Sequence, residues 1–281
     1  FFLDLRDASA DLQVVARKDE LKDFKLFRDH LDLGDFVEVS GPLFKTKRGE
    51  RSIDARAMRF LVKTIRPLPS EWHGLHDQEL RLRKRYLDLL ANPEVKDLFI
   101  RKNKFWQTAR SFLTDAGFIE VETPVLEAVP GGADAEPFIT HHAALDEDFY
   151  LRISLEIALK KLVVGGFEKV FEIGRIFRNE GIDAEHLQDY TQLEFYWGYV
   201  DYRDLMAFTE KMYKQLVRAA VGSLKTKWEG NIIEWGKKWK VIDYYDAFKK
   251  GVGADLKTAS RDELFAFAVK KNYSGIENIY S

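Results

Sequence analysis

Two prolines within three residues, in Arg66-Pro67-Leu68-Pro69, divide this chain into parts that cannot share one element. Proline lacks the amide donor that a helix interior or a central strand requires, so the stretch reads as a stiff linker. Before it the pattern is mostly β. Phe1-Phe2-Leu3-Asp4-Leu5 and Leu12-Gln13-Val14-Val15-Ala16 read as strands around the turn-like Arg6-Asp7-Ala8-Ser9. Leu21, Phe24, Phe27 and Leu31 recur at three- and four-residue spacing, which predicts an amphipathic helix over 18–31. Phe36-Val37-Glu38-Val39, a break at Gly41-Pro42, a tip at Lys47-Arg48-Gly49-Glu50 and two more short strands ending near Ile65 complete the part. Five strands with one helix predict a small OB-type barrel over 1–65, although the pattern alone fits any five-stranded barrel.

A linker over 66–92 follows, carrying a helix at 79–90, and then a mixed α+β domain over 93–281. Its first helix spans 93–116, with Pro93 in the first turn and Gly117 just past the end. Strands are expected at 118–121, 149–153, 170–176 and 191–200, the last two returning as a hairpin. Helices are expected at 155–164 and from 202 to about 224, with another over 261–271.

Composition narrows the function classes. A formal net charge of −2 leaves no bulk positive field, so any contact with nucleic acid must come from local patches and particular side chains. The chain has no cysteine, which removes disulfides, thiolate zinc sites and cysteine nucleophiles together and fits a reducing compartment. No run approaches the roughly 18 apolar residues of a membrane span, and no signal segment opens the chain. His73 and His76 lack a nearby third ligand, and His141-His142 would point to opposite faces of a strand, so a zinc site is not expected.

The chemistry concentrates between 171 and 197. Arg178 and Glu180 close one strand, a polar loop passes His186, and Tyr190 opens the next. An arginine on a strand suits phosphate, because its planar fork pairs with two oxygens and keeps its proton. Pairing with Glu180 or Glu172 is the structural alternative. Glu194 stands among Leu193, Phe195 and Trp197, where an unpaired carboxylate is costly and calls for a cation, either a ligand's or a neighbouring Lys or Arg. In the first part, Phe2 reads as core by pattern. The cluster Arg81, Arg83, Lys84, Arg85 suits either an RNA backbone or a solvated helix face.

Three segments carry a resemblance. Gly117-Phe118-Ile119-Glu120-Val121-Glu122-Thr123-Pro124-Val125-Leu126 resembles motif 1 of the class II aminoacyl-tRNA synthetases. Phe171-Glu172-Ile173-Gly174-Arg175-Ile176-Phe177-Arg178-Asn179-Glu180-Gly181, followed by Tyr190-Thr191-Gln192-Leu193-Glu194-Phe195-Tyr196-Trp197, resembles motif 2. Pro130-Gly131-Gly132-Ala133, Thr140-His141-His142-Ala143, Tyr150-Leu151-Arg152-Ile153 and Leu159-Lys160-Lys161-Leu162 are similar to the lysine-specific branch. Phe2-Leu3-Asp4-Leu5-Arg6-Asp7 and Phe44-Lys45-Thr46-Lys47-Arg48-Gly49-Glu50 resemble that branch's anticodon barrel.

The resemblance implies an antiparallel-sheet catalytic domain, ATP and L-lysine as substrates, tRNA(Lys) as partner, Mg2+ as cofactor and a cytoplasmic homodimer. It implies catalytic roles for Arg178, Glu180 and His186, with Tyr190 stacking on adenine. It places Gly132, Glu156, Glu194 and Tyr196 around lysine, Pro124 at the dimer interface, and Phe2, Arg6, Gln13 and Glu50 at the anticodon. Four features depart from the branch. Glu136 and Glu185 stand where it usually carries arginine, Leu187 where it carries asparagine, and Ser154-Leu155 where it carries Ala-Pro. A third, glycine-rich motif and the acidic magnesium ligands have no counterpart here, so the chain reads as an inactive piece of a longer protein, with no metal ligands of its own. A non-catalytic RNA-binding or regulatory paralogue is the alternative.

Overall fold

The structure is a computed structural model that describes residues 1–66, 75–181, 183 and 185–271. Pro67, Pro69 and His73 therefore lie outside the described residues. The chain separates into two compact units, Phe1–Phe99 and Ile100–Ser281.

In the first unit, β1 (Phe2–Arg6), β2 (Asp11–Ala16), β4 (Leu43–Lys45) and β5 (Arg51–Ala55) form one sheet in the order β1-β2-β5-β4. Strand β3 (Phe36–Ser40) pairs with β6 (Ala57–Val62). Alternation sends Val14, Ala16 and Ala55 inward, where they meet Leu21 and Phe27. Helix α1 (Phe24–His30) closes this core, with Phe27 stacked on Phe60 at 4.9 Å between ring centroids. The expected helix over 18–31 is thus about half its predicted length. Residues 17–21 form a turn in which the Arg17 carbonyl accepts from the Glu20 and Leu21 amides, and Asp23 is left-handed at φ 60°. Leu21 is buried from the turn rather than from a helix face, so the apolar spacing was real while the backbone was not helical. Six strands replace the expected five, the added one being β4 between the Gly41-Pro42 break and the tip at 47–50.

The expected linker is folded over much of its length. Helices α2 (Gln78–Arg83) and α3 (Arg85–Ala91) replace one helix over 79–90, with Lys84 off the helical conformation between them. Asp88 explains the break. Fully buried, it accepts hydrogen bonds from Arg81 Nε at 2.7 Å, Arg85 Nη1 and Asn92 Nδ2 at 2.7 Å, and Asn92 also donates to the Leu75 carbonyl. Burial pushes the Asp88 carboxyl up, but these donors more than offset it and hold it below its ordinary value. Arg83 pairs with Glu79 at 2.7 Å. Three of the four clustered cations are therefore paired within α2 and α3, Arg81 across the break between them.

Helix α4 (Pro93–Asp115) contains the division between the units. In the second unit a three-stranded sheet runs β12-β11-β7, built from β7 (Ile119–Glu120), β11 (Lys169–Phe177) and β12 (Asp189–Trp197). The β11–β12 hairpin pairs antiparallel over nine residues, from Lys169 opposite Trp197 to Phe177 opposite Asp189. Strand β7 joins in parallel, so the sheet is antiparallel with one parallel edge. On one face Phe112, Leu113, Phe118, Phe171, Met212 and Leu216 form the core, with Leu193, Phe195 and Trp197 packed on it. Each fully buried side chain of this size contributes roughly 1.5–3 kcal/mol. Helix α6 (Tyr202–Val221) supplies Met212 and Leu216; a capping box between Asp201 and Asp204 starts it, and Gly222 ends it near the predicted position.

A second sheet, β8-β10-β9, comprises β8 (Leu126–Glu127), β9 (Ile139–His142) and β10 (Glu147–Leu151). The sequence pattern gave only one of these, displaced by two residues. Helix α5 (Glu156–Val164) packs Leu159 against Val170 and Ile176 on the other face of the first sheet. The chain continues through the hairpin β13 (Lys225–Trp228) and β14 (Asn231–Glu234), then α7 (Tyr244–Val252) and α8 (Arg261–Lys270). No helix among the described residues is long and apolar enough to cross a membrane.

Candidate functional site

Strand alternation separates the two faces of β12. Leu193, Phe195 and Trp197 turn to the core, so Tyr190, Gln192, Glu194 and Tyr196 share the opposite face. Below that face runs a short segment, 152–156, that touches every part of the site. Its first residue, Arg152, is 4% exposed and donates from Nη1 to Glu172 Oε1 at 2.6 Å and to the Thr123 carbonyl at 3.0 Å, and from Nε to the Arg175 carbonyl at 2.8 Å. Glu172, equally sealed, also accepts from the Thr123 amide and hydroxyl. A buried pair needs such extra partners, because losing either ion strands the other without water. Gly174 belongs to the same arrangement: a Cβ there would lie 2.3 Å from Arg152 Nη2.

The next residues hold the chemistry. The Ile153 carbonyl accepts from Arg178 Nε at 3.4 Å, and the Arg178 guanidinium lies 5.8 Å from the centre of the Tyr190 ring. Neither carboxylate suggested by sequence pairs with this arginine: Glu172 belongs to Arg152, and Glu180 is exposed. Ser154 Oγ donates to Glu194 Oε1 at 3.1 Å and accepts from the Glu156 amide at 3.1 Å, serving one of the orphan donors at the start of α5. The Leu155 amide reaches Glu194 Oε1 at 3.4 Å, and the Tyr196 hydroxyl donates to Oε2 at 3.1 Å. Burial and then the Glu194 charge push the Tyr196 hydroxyl well above its usual pKa, so it stays a donor.

Glu194 has no cationic partner among the described residues; three neutral donors hold it. Glu156 does have one, Lys160 Nζ at 2.5 Å, on an exposed helix face. Gly132 closes the group with φ +84°, and a Cβ there would sit 3.0 Å from both Glu156 Cβ and Ser154 Oγ. Glycine is required for conformation and for space alike.

Other predicted positions are not assembled. His186 Nδ1 lies 2.7 Å from Asp183 Oδ2, and that hydrogen bond, then the carboxylate's charge, raises the imidazole pKa. The ring is exposed and turned toward its own loop. Glu185 and Leu187 are exposed beside it, while the Glu136 carbonyl accepts from the Asn179 amide at 2.7 Å. Pro124 is exposed and continues into Val125 and Leu126, both exposed as well. Among the described residues there is no group of three or more His, Asp or Glu side chains that could hold a metal ion. Sequence reasoning missed Arg152 and Ser154 as site residues. Ser154 offered two signals, a small polar residue two positions ahead of a helix and a departure from the alanine of the lysine-specific branch.

On the barrel, Phe2 is 69% exposed, against its reading as core by pattern. Phe2, Asp4 and Arg6 alternate outward along β1, and Gln13 lies opposite Asp4 on β2. Gln13 Nε2 donates to Glu50 Oε2 at 3.2 Å, and its Oε1 accepts from Ser52 Oγ at 3.0 Å. Phe2, Gln13 and Glu50 thus belong to one outer face, whereas Arg6 is tied to Asp11 through both guanidinium and carboxylate forks.

A barrel with a polar and aromatic outer face, joined in sequence to a strand–loop–strand site, has counterparts. Residues 77–273 match the family described as tRNA synthetases class II (D, K and N), and residues 1–61 match the OB-fold nucleic acid binding domain. The chain belongs to the class II tRNA synthetases of that D, K and N group. Its relatives include the lysine–tRNA ligase of Clostridium botulinum (strain Loch Maree / Type A3), 44% identical over 275 residues, which are 96% of this chain and 54% of that protein. The lysine–tRNA ligase of Moorella thermoacetica is 47% identical over 257 residues, 91% of this chain and 52% of the relative. That of Carboxydothermus hydrogenoformans is 44% identical over 272 residues, covering 96% and 55%. The chain spans about half the length of the curated relatives it matches.

Proposed function

We propose that this chain supplies the anticodon barrel and the amino-acid pocket of a lysine–tRNA ligase. The reaction is attack of the lysine carboxylate on the α-phosphorus of ATP, giving lysyl-adenylate and pyrophosphate, followed by transfer of the lysyl group to a terminal ribose hydroxyl of tRNA(Lys) with release of AMP. The observation that carries the reading is Glu194: a carboxylate oriented by three neutral donors and lacking a cation is suited to an ammonium ligand. In this reading Glu194 and Tyr196 receive the ε-ammonium, and Glu156 and Gly132 border the α-amino group. Arg178 neutralises charge on the α-phosphate, its guanidinium fixed by the Ile153 carbonyl, and Tyr190 stacks on adenine. Glu180 and His186 complete the ATP contacts when the loop meets the nucleotide.

Magnesium would screen the phosphate charges. On the barrel, Phe2 stacks on an anticodon base while Gln13 and Glu50 bond its edge; Arg6, paired with Asp11, lies on the same strand. Pro124 with the exposed Val125 and Leu126 forms the homodimer contact. We place the enzyme in the cytoplasm on the strength of this reaction.

The test is amino-acid-dependent ATP–pyrophosphate exchange by the full-length protein, offering lysine, aspartate and asparagine separately. Exchange with lysine alone is expected, with Glu194→Gln reducing it at least a hundredfold while leaving the melting temperature in place, in keeping with a lost buried charge contact. A second reading, an RNA-binding paralogue without catalysis, is favoured by Glu185 and Leu187 in the motif 2 loop. Tight tRNA binding without exchange for any amino acid would establish that reading instead.

A further inference from the structure

Ser154 stands where the lysine-specific branch usually carries alanine, and its hydroxyl does two things that a methyl cannot. It donates to Glu194 Oε1 at 3.1 Å and accepts the Glu156 amide at 3.1 Å. A single oxygen therefore joins the strand carrying one pocket carboxylate to the first residue of the helix carrying the other. The side chain is 5% exposed, so water does not compete for either bond. A Cβ at Gly132 would lie 3.0 Å from the same oxygen, so the glycine leaves Ser154 the room to make both bonds.

We propose that Ser154 is a positioning residue that sets the separation between Glu156 and Glu194, and so selects the length of the diamino acid that spans them. This rests on the lysine reading of the pocket. Two ammonium groups on one flexible chain can satisfy two carboxylates only when the spacing matches. A carboxylate free to rotate would accommodate a substrate one methylene shorter, and hydrophobic contact alone discriminates such homologues weakly. Holding Oε1 from below leaves Glu194 a single orientation. The Leu155 amide, at 3.4 Å, is the longest of the three bonds and does not hold it alone.

The experiment compares ATP–pyrophosphate exchange by the full-length protein and by Ser154→Ala and Ser154→Thr, with lysine and with ornithine. For Ser154→Ala the KM for lysine is expected to rise roughly tenfold, as for loss of one hydrogen bond to a charged group. The KM for ATP should stay within about twofold, and the preference for lysine over ornithine should narrow. Ser154→Thr, which keeps the hydroxyl, should restore both values. Unchanged discrimination in Ser154→Ala, or KM values for lysine and ATP rising together, would overturn the proposal and leave Ser154 a packing residue. Absence of lysine-dependent exchange in the unsubstituted protein is a separate result: it removes the lysine reading itself, and this inference with it.

Discussion

On the barrel, Phe2 is 69% exposed, and Gln13 reaches Glu50 at the surface while the buried Ser52 donates to Gln13 from beneath. Below β12, Arg152, Ser154 and Glu172 are 4%, 5% and 3% exposed. Under the proposed function the two regions would handle recognition in opposite ways. A nucleic-acid base brings its own large apolar face, so an open aromatic with a few adaptable polar neighbours is enough to receive it. A small, doubly charged amino acid brings little surface and must be met by groups already desolvated and fixed. In the barrel, recognition is added to the outside of a finished core. In the sheet the residues that orient the pocket are themselves part of the core.

That contrast is most exposed to attack at Arg152. Arg152→Ala strands Glu172 in a dry interior, a loss of about 3–5 kcal/mol. Its unit should melt roughly 10 °C lower, and lysine-dependent exchange should fall with it. An unchanged melting temperature would falsify the view that pocket and core are one network. Phe2→Ala probes the other side of the comparison. It should weaken tRNA binding roughly tenfold or more, while melting and ATP–pyrophosphate exchange stay where they are. A drop in barrel stability would mean that Phe2 serves the core after all.

Charge in the barrel offers a smaller effect. Burial pushes Asp35 up, but the Asp32 amide, the Lys63 ammonium and the Thr64 amide outweigh it and hold its pKa at about 2. A depressed carboxyl stabilises the fold above its unfolded pKa, and that stabilisation is lost as pH falls through the folded value. Wild type should therefore exceed Asp35→Asn in urea-unfolding stability at pH 7, and the gap should close as pH falls from about 4 toward 2. The smallest effect lies in the loop after Arg178. The His186–Asp183 contact is present below the ordinary histidine pKa and is lost as pH rises through the raised value. Asp183→Asn should bring the His186 titration, followed by NMR, back toward the ordinary range; no movement would mean that the contact does not form in solution.

Periodic features were legible in the sequence. The β11–β12 hairpin, expected over 170–176 and 191–200 and found over 169–177 and 189–197, the length of α6 and the alternation that puts Glu194 opposite the aromatic core follow from spacing. What stayed hidden depends on partners far apart in the chain. Arg152 finds Glu172 twenty residues away, a pairing that leaves no trace in any local period. Arg178 was therefore weighed against the wrong carboxylate. Asp88 gathers three partners and breaks a helix whose apolar pattern runs straight through it. Phe2 was misjudged by pattern because an exposed aromatic on a strand has the same spacing as a buried one, and only the paired register tells the faces apart. Ser154 drew notice as a departure from the usual alanine; its hydroxyl gained meaning once Glu194 was found above it.

The placement of Glu194 and Ser154 on different elements has a consequence for how such a pocket can change over time. In the proposed reading the sign of the charge it accepts is set on β12, while its reach is set at the turn into α5. Neither Glu194 nor Ser154 hydrogen-bonds to the Arg152–Glu172 pair among the described residues, so a change at either site leaves that ion pair its own partners. A lineage could thus try substrates of another length, or of another charge, one substitution at a time and remain folded at every intermediate step.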